Sequence, residues 1–330
     1  MAEHRIVGAG AVGTVLAGFL TAAGESVRLQ VRPGRLADYA DVERLTVTDS
    51  AGQGVVDVPA PPIEDRAGGA DYVYLAVKHG GLDAALDALD GHLGENTVLL
   101  PCLNGVGVGD RVAARFPGHT VMPVTIMFNA RIEAPLAARL TTRPEILFRA
   151  AELPPQAESL RRAGMTVGRG DDATEWGKLL INLNNAVCAA TATGFADLFG
   201  DRHLVRAFVT VLDEAIAVLD AAGIRYDLPV PVPYRVYRWL LLHGRGLPLW
   251  VARRKNGLSD EAYPSMLADL RAGRATEIDA LNGAIVDLGR THGVATPANA
   301  ELIRLIHDRE KDGAADPLTP QQLLRRLENA

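Results

Sequence analysis

The sequence predicts two domains: an α/β N-terminal domain with a mostly parallel sheet, and an all-α C-terminal domain. Its 330 residues exceed what a single hydrophobic core usually organises. In the first half, short apolar runs alternate with helical patterns, which is typical of a parallel sheet with crossover helices. The second half shows long helical patterns and no convincing strand. We place the N-terminal domain at residues 1–170 and the C-terminal domain at residues 171–330.

Each predicted element follows from its own run of residues. The predicted N-terminal elements are the strand Ile6-Val7, the helix Val12 to Ala23, and the strands Val27 to Val31, Val73 to Val77 and Val98 to Leu100. Residues 121–149 contain further β-like segments, which we expect to extend the same sheet. The predicted C-terminal helices cover residues 174–191, 204–222, 263–272 and 277–291. Prolines between residues 226 and 233 predict an extended connection.

The composition argues against several classes of function. The formal charge of −6 and the lack of a long Lys/Arg block disfavour a nucleic-acid-binding surface, which needs concentrated positive charge. Cys102 and Cys188 belong to no CxxC or Cys/His cluster, so we expect neither a disulfide framework nor a metal site. The N-terminus enters the strand-like run Arg5-Ile6-Val7 too early for a signal peptide. We therefore expect a cytoplasmic protein.

The most apolar stretch lies between Trp239 and Val251. His243, Arg245 and Pro248 interrupt it, and it is shorter than the roughly 20 apolar residues that a membrane-spanning helix needs. We therefore expect no membrane partner, and we interpret the stretch as a buried helix or an interface.

A glycine fingerprint follows the first predicted strand. Gly8, Gly10 and Gly13 form a GxGxxG pattern that opens a predicted helix, which is the context of a Rossmann-like dinucleotide site. The first glycine permits the tight turn, the second lets a pyrophosphate approach, and the third allows close packing of helix on strand. Ala11 and Val12 begin the helix, whose N-terminal amides are donors for phosphate. The alternative is an ordinary glycine-rich turn.

The end of the second strand predicts which dinucleotide binds. NAD sites usually carry an acidic residue there for the ribose hydroxyls. This chain has Arg32 instead, with Arg35 three residues later and no acid between them. Because arginine binds phosphate with two parallel hydrogen bonds, Arg32 favours NADPH/NADP⁺ over the forms without the 2′-phosphate. The alternative is that both arginines are solvated loop charges.

Two further polar residues follow predicted strands. Lys78 ends the strand at residues 73–77, and Asn104 comes after the strand at residues 98–100. Parallel sheets bind ligands at the carboxyl ends of their strands, so we expect both side chains to face a crevice.

A third polar group lies on an apolar helix. Lys178 and Asn182 are four residues apart and share a helical face, and Asn185 lies close to the same stripe. Burying a lysine beside leucines costs free energy unless it is paired or its pKa falls, and a lowered pKa makes lysine a usable proton donor. The alternative is a structural lysine that extends its ammonium group to solvent.

A charged segment near the C-terminus completes the candidate residues. It runs from Pro264 to Gly283 and predicts a helix pair whose polar side borders a cleft. Glu277 has a structural alternative, because Thr276 and Asp279 resemble a capping box and an acid stabilises a first helical turn.

These motifs together resemble the ketopantoate reductase family. The matching residues, in chain order, are Gly8-x-Gly10-x-x-Gly13, Val77-Lys78, Asn104-Gly105, Lys178-Leu179-Leu180-Ile181-Asn182, Ser265-Met266 and Thr276-Glu277-Ile278-Asp279. The resemblance covers nearly the whole chain, and its last three motifs are the most specific. It implies reduction of a 2-keto acid by NADPH, with ketopantoate becoming pantoate in pantothenate biosynthesis.

The resemblance also implies a role for each matched residue. Lys178 is then the general acid, Ser265 binds substrate, and Asn104 and Asn182 position substrate and cofactor. Glu277 pairs with the substrate or orients the active site, and it also contacts the cofactor. Lys78 and Arg32 hold NADPH. The keto acid is expected in the cleft between the two domains. The expected partners are this small molecule and, as a homodimer, a second copy of the chain.

One position departs from the family pattern. Members that reduce ketopantoate usually carry an asparagine eight residues after the lysine, where this chain has Ala186. Either Asn185 supplies the missing amide, or the site is adapted to a different keto or hydroxy substrate. A non-enzymatic nucleotide-sensing regulator is a third alternative, although such a protein has no need of Lys178 with Glu277.

Overall fold

The computed structural model describes residues 2–228, 230, 232–244, 246–256, 262–311 and 316–330. The chain divides into two compact units, Met1–Asp171 and Asp172–Ala330. The predicted connection at 226–233 and the apolar stretch at 239–251 each include residues outside these ranges.

Strands dominate the first unit. In chain order they are β1 (Glu3–Val7), β2 (Ser26–Gln30), β3 (Arg44–Thr48), β4 (Gly54–Pro59), β5 (Ile63–Glu64), β6 (Tyr72–Leu75), β7 (Val98–Pro101), β8 (Thr120–Val121), β9 (Val124–Ile126), β10 (Ala130–Ala134), β11 (Ala137–Leu140), β12 (Glu145–Phe148) and β13 (Thr166–Arg169). Six of them form one parallel sheet in the order β5-β2-β1-β6-β7-β8. This order is that of a Rossmann-like sheet, and the predicted α/β class is confirmed.

The parallel sheet is apolar on both faces, because helices cover each side. The helices of this unit are α1 (Ala11–Ala22), α2 (Leu82–Leu89), α3 (Val108–Arg115) and α4 (Gln156–Arg162). Ile6 and Leu29 pack with α1 in one core, whereas the neighbouring Val7 and Leu75 pack with α2 and α3 in another. Alternate residues of each strand thus enter different cores, as expected for a sheet buried on both sides.

The prediction for residues 121–149 is wrong for most of the segment. Only β8 joins the parallel sheet. Strands β10 and β11 lie with β3 and β4 in a four-stranded sheet of order β10-β11-β3-β4, and β9 lies beside β12 in a three-stranded sheet of order β13-β12-β9. The β-like pattern identified strands correctly, but it carries no information about pairing partners that lie about 100 residues away in sequence.

Every regular element described in the second unit is helical. The helices are α5 (Asp172–Asn182), α6 (Asn184–Thr191), α7 (Phe195–Gly200), α8 (Arg202–Ala222), α9 (Tyr234–His243), α10 (Leu247–Asn256), α11 (Ser265–Arg271), α12 (Ala284–His292), α13 (Pro297–Lys311) and α14 (Pro320–Glu328). A π-helical segment, Asp279–Gly283, precedes α12. The predicted helix at 174–191 is in fact two helices, since the helix is interrupted at Leu183.

The apolar stretch at 239–251 does not form a buried helix. It contributes to α9 and α10, and Trp239 and Trp250 are 58% and 60% exposed. Apolar composition therefore overestimated burial, which is decided by what packs against a helix. Among the described residues, no helix combines the length and the apolar character that crossing a membrane requires.

Candidate functional site

The glycine turn between β1 and α1 is packed in direct backbone contact with its neighbours. Gly8 has a φ of +108°, and a Cβ on it would lie 2.7 Å from the carbonyl oxygen of Ala76. A Cβ on Gly13 would lie 1.8 Å from the carbonyl oxygen of Gly8, so helix and turn pack in direct backbone contact. At Gly10, by contrast, an added Cβ would meet nothing within 4 Å.

The start of α1 leaves its amide donors accessible. Gly10 is the N-cap, and no side chain caps the helix. Ala11 and Val12, in the first turn, are both only half-buried. Uncapped N-terminal amides beside open space suit the pyrophosphate of a dinucleotide, because the helix dipole and the amides favour negative charge there. The turn therefore fits the cofactor that the family pattern implies.

Arg32 and Arg35 differ in their surroundings. Both are exposed in the loop after β2. This loop lies next to the glycine turn, because Gly8 N donates to the carbonyl oxygen of Gln30, the last residue of β2, at 2.9 Å. The guanidinium of Arg35 already pairs with the carboxylate of Asp38, and this hydrogen bond raises the pKa of Arg35. Arg32 forms no ion pair with a residue that the structure describes. The loop thus offers Arg32, rather than Arg35, to a ligand.

The loops after β6 and β7 lie side by side. Leu75 pairs with Pro101 at the ends of these strands, so Lys78 and Asn104 follow the same sheet edge. Lys78 is exposed and Asn104 is half-buried. His79 Nε2 donates to the carbonyl oxygen of Asn104 at 2.6 Å and so joins the two loops.

Lys178 and Asn182 lie one turn apart on α5, and both are half-exposed. Leu179 and Leu180 between them are fully buried, which fixes the helix against its core. The polar pair thus faces away from the packed side of the helix. The spacing therefore places an ammonium group and an amide on one accessible face.

Asn185 differs from Lys178 and Asn182 in its burial. It lies on α6, beyond the interruption at Leu183, and is 6% exposed. Ala186 beside it is fully buried. Asn185 is therefore less accessible than Lys178 and Asn182, and its role stays a prediction.

Ser265 and Glu277 lie on different elements of the second unit. Ser265 is exposed at the first residue of α11. Glu277 is 9% exposed and precedes the π-helical segment. π-Helical turns are rare and are often found at functional sites. The π-helical segment therefore supports, independently of the sequence motif, a functional site near Glu277.

The capping box expected at Thr276 is only half present. Thr276 Oγ1 accepts a hydrogen bond from Ile278 N at 3.3 Å. The backbone N–H of Thr276 donates to Glu310 on α13 at 2.7 Å, and Asp279 instead interacts with His307 at 3.0 Å. The acid that completes the cap therefore comes from another helix, which a local motif does not reveal.

Both halves of the chain match family models. Residues 5–152 match the model described as ketopantoate reductase PanE/ApbA, and residues 172–310 match its C-terminal counterpart. The 2-dehydropantoate 2-reductase of Mycobacterium tuberculosis is 32% identical, and the alignment covers 91% of this chain and 95% of that protein. The chain belongs to the ketopantoate reductase PanE/ApbA family.

Further proteins are similar to this chain in sequence or in fold. The 2-dehydropantoate 2-reductase of Mesorhizobium japonicum is 28% identical over 91% of this chain and 95% of its own. The PanE/ApbA family ketopantoate reductase of Ralstonia eutropha has a TM-score of 0.77, 25% identity, and coverage of 95% and 100%. A D-mandelate dehydrogenase solved with NADH and anilino(oxo)acetate has the same TM-score at 23% identity and equal coverage, and shares the fold.

Membership in the ketopantoate reductase family confirms the resemblance seen in the sequence and the enzyme class, an oxidoreductase acting on a CH–OH group. It removes the regulator alternative. The roles of individual residues stay predictions.

Sequence reasoning missed four residues that contact the candidate site residues or lie next to them. His79 was indicated only by its position after Lys78, and Glu310 and His307 lie in a helix with no motif of its own. Gly177, next to Lys178, had a clearer signal, since a glycine inside a helix is less stable there than alanine.

Proposed function

We propose that this protein is an NADPH-dependent 2-dehydropantoate 2-reductase that reduces ketopantoate to pantoate. The observation that carries the proposal is the accessible pair Lys178 and Asn182 on one face of α5, in a chain that matches the family along both units. The first unit, Met1–Asp171, is proposed to bind the cofactor. The second unit, Asp172–Ala330, is proposed to supply the general acid and most of the substrate-binding groups.

The preference for NADPH rests on Arg32. Its exposed guanidinium follows β2, where an enzyme specific for NADH usually has an acid. Lys78 after β6 adds a second cation at the same sheet edge, and Gly8 to Gly13 supply the phosphate cradle. When bound, NADPH supplies the hydride that the carbonyl carbon of the substrate receives.

Lys178 is proposed to protonate the oxygen that becomes the hydroxyl. Hydride addition to a ketone places negative charge on oxygen, and a nearby ammonium group both stabilises and protonates it. Asn182, one turn along α5, is proposed to orient the substrate through its amide. The buried leucines on the opposite face of α5 hold both groups in place.

The remaining predicted residues are proposed to bind and orient. Ser265 donates its hydroxyl to the substrate, and Glu277 accepts from the substrate hydroxyl or orients the active site. Asn104, fixed by His79 through its backbone, positions substrate and cofactor.

A second candidate function is reduction of a different 2-keto acid. It is favoured by Ala186, which is fully buried and has a methyl group where ketopantoate-reducing members usually have an amide. Asn185 is itself buried, so it is a poor replacement. A site without that amide binds fewer polar groups of the substrate and favours a more apolar one.

Steady-state kinetics distinguish these candidates. We would follow NADPH oxidation with ketopantoate and with a panel of aliphatic and aromatic 2-keto acids, and repeat the best substrate with NADH. The proposal predicts the highest kcat/KM for ketopantoate with NADPH. A higher kcat/KM for another keto acid would establish the second candidate, and no oxidation with any of them would refute both.

A further inference from the structure

The segment that carries Glu277 is held by a carboxylate from a distant helix. Glu310 on α13 accepts the hydrogen bond of Thr276 N at 2.7 Å, across 34 residues of sequence. The side chain of Glu310 is 20% exposed, so this charge is partly withdrawn from solvent. A carboxylate at the first amide of a helical turn is favourable, because it satisfies an N–H that has no partner within the turn.

His307 lies one turn before Glu310 on the same helix and contacts Asp279 and Glu310. Its Nε2 is 3.0 Å from Asp279 Oδ1, and its Nδ1 is 3.7 Å from Glu310 Oε2. The imidazole thus bridges the start of the π-helical segment and the carboxylate that holds Thr276. The side chains of His307, Asp279 and Glu310 therefore form one connected group and are not separate solvated charges.

α13 also holds the far end of the π-helical segment. Asn282 Nδ2 donates to Asn299 Oδ1 at 3.0 Å, and both side chains are fully buried. Asn299 is fixed in turn by Glu214 of α8, which accepts from Asn299 N at 3.0 Å and from Asn299 Nδ2 at 2.8 Å. α13 is therefore an anchored helix, and residues 276–283 are fixed to it at both ends.

We propose that Glu310, supported by His307, is a positioning residue that holds Glu277 in its catalytic orientation. The inference rests on the role of Glu277 under the proposed function. The hydrogen bond from Thr276 N to Glu310 lies one residue before Glu277. After Glu277, Leu281 N donates to the Glu277 carbonyl oxygen at 3.1 Å. The main chain around Glu277 is thus constrained from both directions, and loss of Glu310 removes one of these constraints.

The first test compares Glu310→Ala with Glu310→Gln and Glu301→Ala. Glu301 is the matched control: it lies on α13, is 16% exposed, and pairs with Arg304 and Arg326, which lie on α13 and α14 rather than in residues 276–283. Because small misplacements of active-site groups are costly, Glu310→Ala should lower kcat of the best keto acid about tenfold to a hundredfold. Glu310→Gln keeps an acceptor oxygen and should stay within about fivefold of the parent protein. Glu301→Ala should keep its kcat.

A double-variant cycle shows whether Glu310 acts through Glu277. If it does, adding Glu310→Ala to Glu277→Ala should lower kcat no further, because the two losses are not independent. Full additivity of the two losses would overturn the inference. If kcat falls in Glu277→Ala but not in Glu310→Ala, the inference about Glu310 is overturned and the proposed role of Glu277 stands. If kcat is unchanged in Glu277→Ala, both the proposed role of Glu277 and the inference are refuted.

Hydrogen exchange tests the positioning without any substrate. In Glu310→Ala, amides of residues 276–283 should exchange faster than in the parent protein, while those of α5 stay unchanged. Glu301→Ala should leave the 276–283 amides protected. Unchanged exchange of residues 276–283 in Glu310→Ala would overturn the inference, whatever the kinetics of the variant.

Discussion

The carbonyl oxygen of Asp227 lies where a side chain at Gly177 would begin: a Cβ built on Gly177 would be 1.7 Å from it. Asp227 N also donates to the carbonyl oxygen of Ala173 at 2.8 Å, so the two segments touch along one turn of α5. Lys178 follows Gly177 directly. The contact therefore fixes the part of α5 from which the proposed general acid projects.

Gly177→Ala should destabilise the protein and reduce turnover, because the added methyl group forces the segment at Asp227 or α5 to move. Overpacking of this kind costs about 1–3 kcal/mol in the free energy of unfolding. The control is Gly200→Ala on α7, where a Cβ meets nothing within 4 Å and the effect should be neutral or stabilising. Urea unfolding of both variants provides the measurement. Equal stability of the two variants would contradict the close contact.

Arg32→Ala should raise the KM for NADPH far more than the KM for NADH. A charge-assisted contact to the 2′-phosphate is worth about 1.5–3 kcal/mol, so the expected increase is on the order of tenfold or more. Arg35→Ala is the control, since Arg35 already pairs with Asp38 and should have little effect. An equal increase for both cofactors would argue that Arg32 does not contact the 2′-phosphate.

Lys178→Ala should lower kcat by about 10²-fold to 10⁴-fold, the usual contribution of a positioned acid, with little change in NADPH affinity. Its stability should hold, because the side chain is half-exposed and removing it opens no buried cavity. Lys311→Ala, an exposed lysine on α13, is the control and should keep its turnover. Fluorescence titration with NADPH separates binding from chemistry. Near-normal kcat in Lys178→Ala would refute the mechanism.

The stability of the first unit should fall as the pH falls below about 6.5, the ordinary pKa of histidine. His4 is fully buried and stacks on Tyr72, and burial lowers its pKa, only partly opposed by Glu25 and Asp71. Below that pH the unfolded chain binds a proton that folded His4 binds less readily, so protonation favours unfolding.

The measurement for His4 is thermal unfolding at a series of pH values. On acidification, the melting temperature of the parent protein should fall further than that of His4→Phe. This variant keeps an aromatic ring against Tyr72. His292→Phe changes an exposed histidine and should follow the parent protein. If His4→Phe and the parent protein have the same pH dependence, the titration of His4 does not contribute.

The sequence by itself determined the features that depend on neighbouring residues. The turn from Gly8 to Gly13 was predictable because a strand, three glycines and a helix follow one another directly. The Lys178 and Asn182 pair was predictable because residues four apart share a helical face whatever surrounds them. The parallel sheet likewise followed from alternating apolar runs, whose periodicity is a property of each segment alone.

Only the tertiary structure decided the features that join distant segments. The β-like residues after 121 entered separate sheets, Trp239 and Trp250 remained exposed, and the cap of Thr276 came from Glu310. Local periodicity records which face of an element is apolar, but it does not record which element packs against that face. The interruption at Leu183 shows the same limit, since an apolar helical pattern continues across it while the chain begins a second helix there.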